Sequence, residues 1–254
     1  MPRGALALTA AVLLAGCAGP EARTAAGSAG AGDVVVFAAA SLTEAFTDLG
    51  EQFEAAHPGA RVRFNFAGSS GLARQIGQGA PADVFASAAP APMRQVSDAG
   101  GVAGEPEVFA RNALRIAVPR GNPGRVTGLA DFGREEARIA LCAAQVPCGA
   151  AAEQVFGAAG VTPRPDTVEQ DVKAALVKVR LGEVDAALVY RTDVRAAGAE
   201  VEGIDFPEAD RAANDYPIAP LAAAPNAAGA RAFVAFVRSD EGRAVLAGAG
   251  FDTP

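Results

Sequence analysis

The stretch VVVFAAASLTEAF, residues 34–46, changes its period halfway along, and that change sets the fold class. Val34, Val35, Val36 and Phe37 form an unbroken β-branched and aromatic run, the composition of a parallel strand buried on both faces. Ser41-Leu42-Thr43-Glu44 matches a capping box. Leu42, Ala45, Phe46, Leu49 and Phe53 then recur at helical spacing to about Ala56, and His57-Pro58-Gly59 stops the helix. The same grammar follows at once. Val62, Phe64 and Phe66 alternate with Arg61, Arg63 and Asn65 as a strand, Ala67-Gly68-Ser69-Ser70-Gly71 is a turn, and Leu72 and Ile76 mark a short helix. Ala82 to Ala86 reads as a third strand. Two successive units of strand, Ser-rich turn and helix open an α/β sheet.

Further along, Leu114 to Val118 and Arg138 to Cys142 read as strands, with a helix around Gly128 to Phe132 between them. Helices are predicted after Pro147 through Phe156 and from Asp171 to Gly182, and Ala186 to Val189 is a strand ended by Tyr190. A strand near Ile218 and two helices, with Phe233 to Val237 and Val245-Leu246, complete the pattern. The 254 residues suit two lobes of about 100–120 residues each. Half are hydrophobic and 20% are charged, so a core can be buried and the chain is not disordered. A net charge of −7 argues against nucleic-acid binding, which needs a basic face to displace phosphate counterions. The single histidine, His57, makes His-based metal sites and Ser-His-Asp catalysis hard to build, and before Pro-Gly it reads as a solvated capping residue. No Trp and two Tyr argue against an aromatic sugar platform.

The N-terminus reads as an address. Arg3 precedes an apolar run, Ala5 to Ala15, of the size of a signal-peptide core and too short to span a bilayer. It ends in Leu14-Ala15-Gly16-Cys17, the pattern of a bacterial lipobox, in which cleavage falls before the cysteine and its sulfur carries the lipid. Residues 1–16 are thus expected to be a lipoprotein signal peptide. Residues 17–32 are rich in Ala, Gly, Ser and Thr, cannot pack a core, and are expected to tether a domain to the membrane with a reach of roughly 20 Å. The membrane is touched through this anchor alone.

Ligands of open α/β sheets lie outside the carboxyl ends of the strands. Ser41 and Ser69 or Ser70 fall there, each at the start of a helix, where unpaired N–H groups and the helix dipole favour an anion. The competing reading makes Ser41 only an N-cap and Ser69-Ser70 only a flexible turn. A third helix start follows Pro147. Cys142 and Cys148, with five residues between them and outside the cytoplasm, are expected to form a disulfide, and no His stands near them to make a metal site. Tyr190 ends a strand and so faces the same rim.

Together these runs resemble the periplasmic molybdate-binding proteins of ABC transporters. The stretches that carry the resemblance are VFAAASL (36–42), FNFAGSSGLARQIGQGAPADVFASA (64–88), VPCG (146–149), EQDVKAAL (169–176) and DAALVYRTD (185–193), and the similarity extends from about residue 33 to the end. It implies a two-lobed type II periplasmic-binding-protein fold, each lobe an open mixed α/β sheet flanked by helices, with the ligand in the interlobe cleft. Lobe I is then expected over 33–112 plus 218–254 and lobe II over 113–217, with crossovers near 112–114 and 216–220. The implied ligand set is hydroxyl and backbone donors at Ser41 and Ser69, backbone N–H groups at Cys148 and Val172, and the phenol of Tyr190. Cys148 stands where Ala is usual and Gly68 where Ser is frequent. The expected role is capture of molybdate, and of tungstate, for delivery to an ABC permease. The protein would be an anchored monomer on the outer face of the cell membrane, with no cofactor and no directly bound metal ion. The alternatives are a receptor for another tetrahedral oxyanion such as sulfate, or a secreted serine hydrolase. The chain lacks a G-x-S-x-G elbow, so no enzyme is expected.

Overall fold

The computed structural model describes Met1 and residues 32–254. The expected signal segment beyond Met1, the lipid-bearing Cys17 and the tether as far as residue 31 lie outside the described residues. The first elements are β1 (Gly32–Ala39), α1 (Thr43–Ala56), β2 (Ala60–Ala67), α2 (Ser69–Gly77), β3 (Val84–Ala86), α3 (Pro90–Asp98) and β4 (Glu107–Asn112). Next come β5 (Leu114–Pro119), β6 (Ile139–Cys142), α4 (Pro147–Ala159), β7 (Thr167–Glu169), α5 (Val172–Arg180), β8 (Ala186–Tyr190), α6 (Arg191–Ala197) and β9 (Val201–Ile204). The chain ends with β10 (Asn214–Pro220), α7 (Ala227–Val237) and α8 (Asp240–Ala249).

Two five-stranded mixed sheets result, in the orders β2-β1-β3-β10-β4 and β7-β6-β8-β5-β9. In the first, β1 runs parallel to β2 and β3, while β10 is antiparallel to β3 and β4. In the second, β6 runs parallel to β7 and β8, and β5 is antiparallel to β8 and β9. The period-2 geometry of β1 explains how one apolar run serves two cores. Val34, Val36 and Ala38 pack with Phe46, Leu49, Phe53 and Phe233, whereas Phe37 joins Leu72, Phe85 and Met93 on the opposite face. The second sheet has its own core, built on Ile116, Ile139, Leu188, Val155 and Leu176. Each lobe therefore buries enough apolar side chains to form a unit around its own sheet.

Three expectations change. β1 starts at Gly32, the last residue assigned to the tether, where it pairs with Ala60. The chain crosses between sheets at Asn112–Leu114, but the return lies between Ile204 and Asn214, earlier than 216–220, because β10 begins at Asn214 and pairs with β4 along its length. Ser41 does not close a capping box. A 3₁₀ turn, Ala40–Leu42, separates β1 from α1, so Leu42 is the N-cap and no side chain caps the helix. Freed from capping, the Ser41 hydroxyl lies 2.9 Å from the hydroxyl of Tyr216.

Candidate functional site

All five residues singled out as an anion site follow the carboxyl ends of parallel strands. Ser41 follows β1, Ser69 follows β2, Cys148 follows β6, Val172 follows β7, and Tyr190 ends β8. The sheets face each other at these ends, and the five residues line one cavity of about 220 Å³, of which about 10 Å³ is open to the centre of a water-sized sphere. The open part is about the size of a single water-sized sphere, far below the roughly 300–1,000 Å³ of pockets for drug-sized ligands, so the lobes stand too close for a sugar or a peptide.

Three helices begin at this cavity. Ser69 opens α2, Cys148 lies in the first turn of α4, and Val172 opens α5. Neither α2 nor α4 has a side-chain cap, although Ser69 and Cys148 are almost fully buried. The first N–H groups of a helix have no partner within it, so these starts bring unpaired donors and positive dipole ends to one small space. On α5, Asp171 is the cap: its Oδ1 accepts from Ala174 N–H at 3.0 Å. That turns the carboxylate in the lining toward its own helix. The hydroxyls of Ser41, Ser69 and Tyr190 complete the donor set. Tyr190 is buried, which pushes its phenol well above the usual range and keeps the proton on oxygen at neutral pH. The chemistry of the space is thus many neutral donors and no cation, suited to an anion that brings only acceptors.

Ser70 has a different place. Its Oγ donates to the carbonyl of Gln145 at 2.6 Å, tying the two lobes beside the cavity. Gly68 is needed for the same approach, since a Cβ there would stand 2.4 Å from the Gln170 carbonyl oxygen. Cys142 and Cys148 form the expected disulfide, with Cα atoms 5.7 Å apart. It links the end of β6 to the first turn of α4. His57 caps the end of α1, its Nδ1 2.9 Å from the Phe53 carbonyl oxygen. Among the described residues no group of three or more His, Cys, Asp or Glu could hold a metal ion, and no helix is long and apolar enough to cross a membrane.

Sequence reading missed the residues behind the donors. Tyr216 packs against Tyr190 with ring centroids 6.0 Å apart, so the chain's two tyrosines stand side by side at the cleft. Their rarity in the composition was the available signal. Lys173, next to Val172, reaches Glu44 on α1 at 2.7 Å and the fully buried Asp193 on α6 at 3.1 Å. Burial acts to lower the Lys173 ammonium, but the carboxylates of Asp193 and Glu44 outweigh it and hold the group above its usual range. Burial pushes Asp193 up to about 6 against the pull of Lys173. Asp193 Oδ2 in turn accepts from Tyr190 N–H at 3.0 Å, so it fixes the main chain of a site residue.

The model of the bacterial extracellular solute-binding protein family matches residues 34–252. The molybdate-binding protein ModA of Mycobacterium tuberculosis is 43% identical over 97% of this chain and 95% of its own length. A Bacillus subtilis protein described as the putative ABC transporter substrate-binding lipoprotein YvgL is 30% identical over 96% of this chain and 95% of its own. Among solved structures, the periplasmic molybdate-binding protein of Azotobacter vinelandii superposes with a TM-score of 0.76 at 21% identity, covering 87% of this chain and 99% of the other, a likeness of fold. The two-lobed architecture, the extent of the match and these relatives agree: the chain belongs to the bacterial extracellular solute-binding proteins.

Proposed function

We propose that this chain captures molybdate, and tungstate with it, in the interlobe cleft and presents it to the permease of an ABC transporter. The observation that carries the reading is the small cavity lined by Ser41, Ser69, Cys148, Val172 and Tyr190, where neutral donors and helix N-termini converge and the Asp171 carboxylate is engaged by its own helix. Hydrogen bonds to a charged partner are the strong ones, so a tetrahedral dianion with four acceptor oxygens is held without a cation. Ser41, Ser69 and Tyr190 give hydroxyl protons, and the main chain at Cys148 and Val172 gives N–H groups. The names of the Mycobacterium and Bacillus relatives support molybdate as the cargo and an ABC transporter as the partner. Relatives that bind and deliver solutes support a receptor and not an enzyme.

The remaining proposals concern placement and movement. Lobe I (33–112 and the segment from β10 onward) and lobe II hinge at the two crossings and close on the ion. In this reading the receptor acts as a monomer. The sequence Leu14-Ala15-Gly16-Cys17, with a lipoprotein among the relatives, supports anchoring through Cys17 on the outer face of the cell membrane. Competitive calorimetry with molybdate, tungstate and sulfate tests the cargo. One ion bound per chain, with molybdate and tungstate displacing sulfate, is the expected result. Sulfate binding as tightly as molybdate, or no heat with either, would overturn it.

A further inference from the structure

Asn112 and Asn214 stand opposite each other in the register of β4 and β10, at the two crossings between the lobes. Both side chains reach into lobe II. Asn112 Nδ2 donates to Thr192 Oγ1 at 2.8 Å, and Asn214 Nδ2 donates to the Tyr190 hydroxyl oxygen at 2.8 Å. A second contact fixes which way the Asn214 amide faces. The same Nδ2 lies 2.8 Å from the Ala88 carbonyl oxygen, which can only accept, so nitrogen and not oxygen must occupy that position. Its two protons are then both committed, one to Ala88 and one to Tyr190. Tyr190 is an acceptor toward Asn214, and its own proton is directed away from it. Ala88 extends the chain of bonds, because its N–H donates to Ser69 Oγ at 3.0 Å. Ser69 likewise has a lone pair engaged and its proton free.

We propose that Asn214 is a positioning residue for anion selectivity: by donating to the Tyr190 oxygen, it offers that hydroxyl to the cleft as a donor and withdraws it as an acceptor. The proposal deepens the molybdate reading and rests on it. A hydroxyl left to itself can donate or accept, so it serves a protonated oxyanion as readily as a bare one. A hydroxyl whose lone pair already takes a proton from Asn214 leaves the P–OH of hydrogen phosphate without a partner, and an unpaired buried polar group is costly. Molybdate brings no proton and loses nothing. Because Asn214 belongs to the lobe I sheet and Tyr190 to lobe II, the bond also sets the orientation of Tyr190 at the hinge itself.

The test is calorimetry of molybdate binding and of its displacement by phosphate, in wild type and Asn214→Ala. The expected result is that preference for molybdate over phosphate falls by about tenfold or more, because the Tyr190 oxygen regains its acceptor role. In the Tyr190→Phe background the same substitution is expected to shift the preference by less than about threefold, since the group it acts through is gone. A merely structural role would weaken both anions alike. An unchanged preference in Asn214→Ala therefore overturns the proposal, as does a full shift that persists without the Tyr190 hydroxyl. If Asn214→Ala does not fold, Asn214→Ser, too short to reach both partners, makes the same comparison. Wild type that binds no molybdate defeats the cargo assignment, whereas molybdate bound with an unchanged preference defeats only the role of Asn214.

Discussion

In the proposed site, the two walls of the cleft supply the same kind of donor by different means. There lobe I contributes the side-chain hydroxyls of Ser41 and Ser69 beside the main-chain start of α2. Lobe II contributes main-chain N–H groups in the first turns of α4 and α5, with Tyr190 as its one side-chain donor. A hydroxyl is deleted by one substitution, but a main-chain donor survives any residue that keeps the helix start in place. This difference accounts for Cys148 standing in the lining at all: its side chain is bonded to Cys142 and turned into the fold. On this reading the lobe I wall depends more on residue type and the lobe II wall more on backbone position.

The strongest test of that asymmetry is substitution on both sides. Ser41→Ala and Ser69→Ala are each expected to weaken molybdate binding by about 1.5–3 kcal/mol, the range for a hydrogen bond to a charged group. Together they are expected to cost about 3–6 kcal/mol if the two act independently, which is roughly a hundredfold to ten-thousandfold in Kd. Val172→Ala, by contrast, is expected to change Kd little, because Asp171 still caps α5 through Ala174 N–H. Calorimetry on the three single variants and the double variant checks the contrast. Equal losses on both walls would break it.

The same contrast explains what was legible in the sequence. Ser41 and Ser69 were readable because strand, turn and helix follow one another within a dozen residues, and the serines mark the turns. The capping role assigned to Ser41 failed because a 3₁₀ turn of three residues is invisible to periodicity. β4 and α3 had no clear pattern: α3 carries Pro90 and Pro92 in its first turn, and only two residues of β4, Phe109 and Ala110, are buried hydrophobics. The second crossing was placed late because Tyr216-Pro217 resembles a break, whereas it lies inside β10 at a register shift. Asn112, Asn214 and Asp193 were beyond reach for another reason. The partners of the two asparagines, and the Lys173 partner of Asp193, lie across the hinge or on a different helix, 20 or more residues away, as with Asn112–Thr192 at 80 and Asn214–Tyr190 at 24, and no local pattern encodes such a meeting, whereas the bond from Tyr190 N–H to Asp193 spans only three residues at a helix start.

Asp193 is the point where the lobe II wall does depend on a side chain, since it holds the N–H of Tyr190. Its carboxyl is raised from 3.8 to about 6 by burial. A carboxyl raised in the folded state keeps its proton longer there than in the unfolded chain. Its stabilising contribution is therefore present below about pH 4 and is lost as pH rises to about 6. Asp193→Asn still accepts from Tyr190 N–H but does not titrate. Denaturant melts of the two proteins are expected to diverge across that window, with the wild type losing stability relative to the variant. Parallel profiles would show that Lys173 keeps Asp193 ionised throughout.

The disulfide probes the backbone side of the comparison. Cys142 and Cys148 are six positions apart and close a seven-residue loop, worth roughly 2.4 kcal/mol in the chain-entropy model. Cys142→Ala/Cys148→Ala is expected to melt lower and to bind molybdate within about tenfold of wild type, because the N–H of residue 148 remains and only the cost of ordering its loop has risen. Loss of all binding in a folded double variant would instead place the Cys148 side chain against the ion.

The smallest effect is expected where the walls meet outside the cavity. Lys173 on α5 and Glu44 on α1 join the lobes at 2.7 Å, with Glu44 half exposed and Lys173 mostly covered. Exposed pairs contribute about 0.2–1 kcal/mol, and Lys173 keeps Asp193 as a partner when Glu44 is neutralised. Glu44→Gln is therefore expected to raise Kd less than about fivefold. Because the pair spans the cleft, the loss belongs to closure and not to either lobe, so the melting temperature of the ligand-free protein is expected to move less than the affinity. Salt separates the two origins of any change. Added salt screens a surface pair, so the gap between wild type and Glu44→Gln is expected to close as ionic strength rises. A gap that stays constant with salt would mean that Glu44 acts through packing against the mouth of the cleft, and the two walls would then be held together by shape and not by charge.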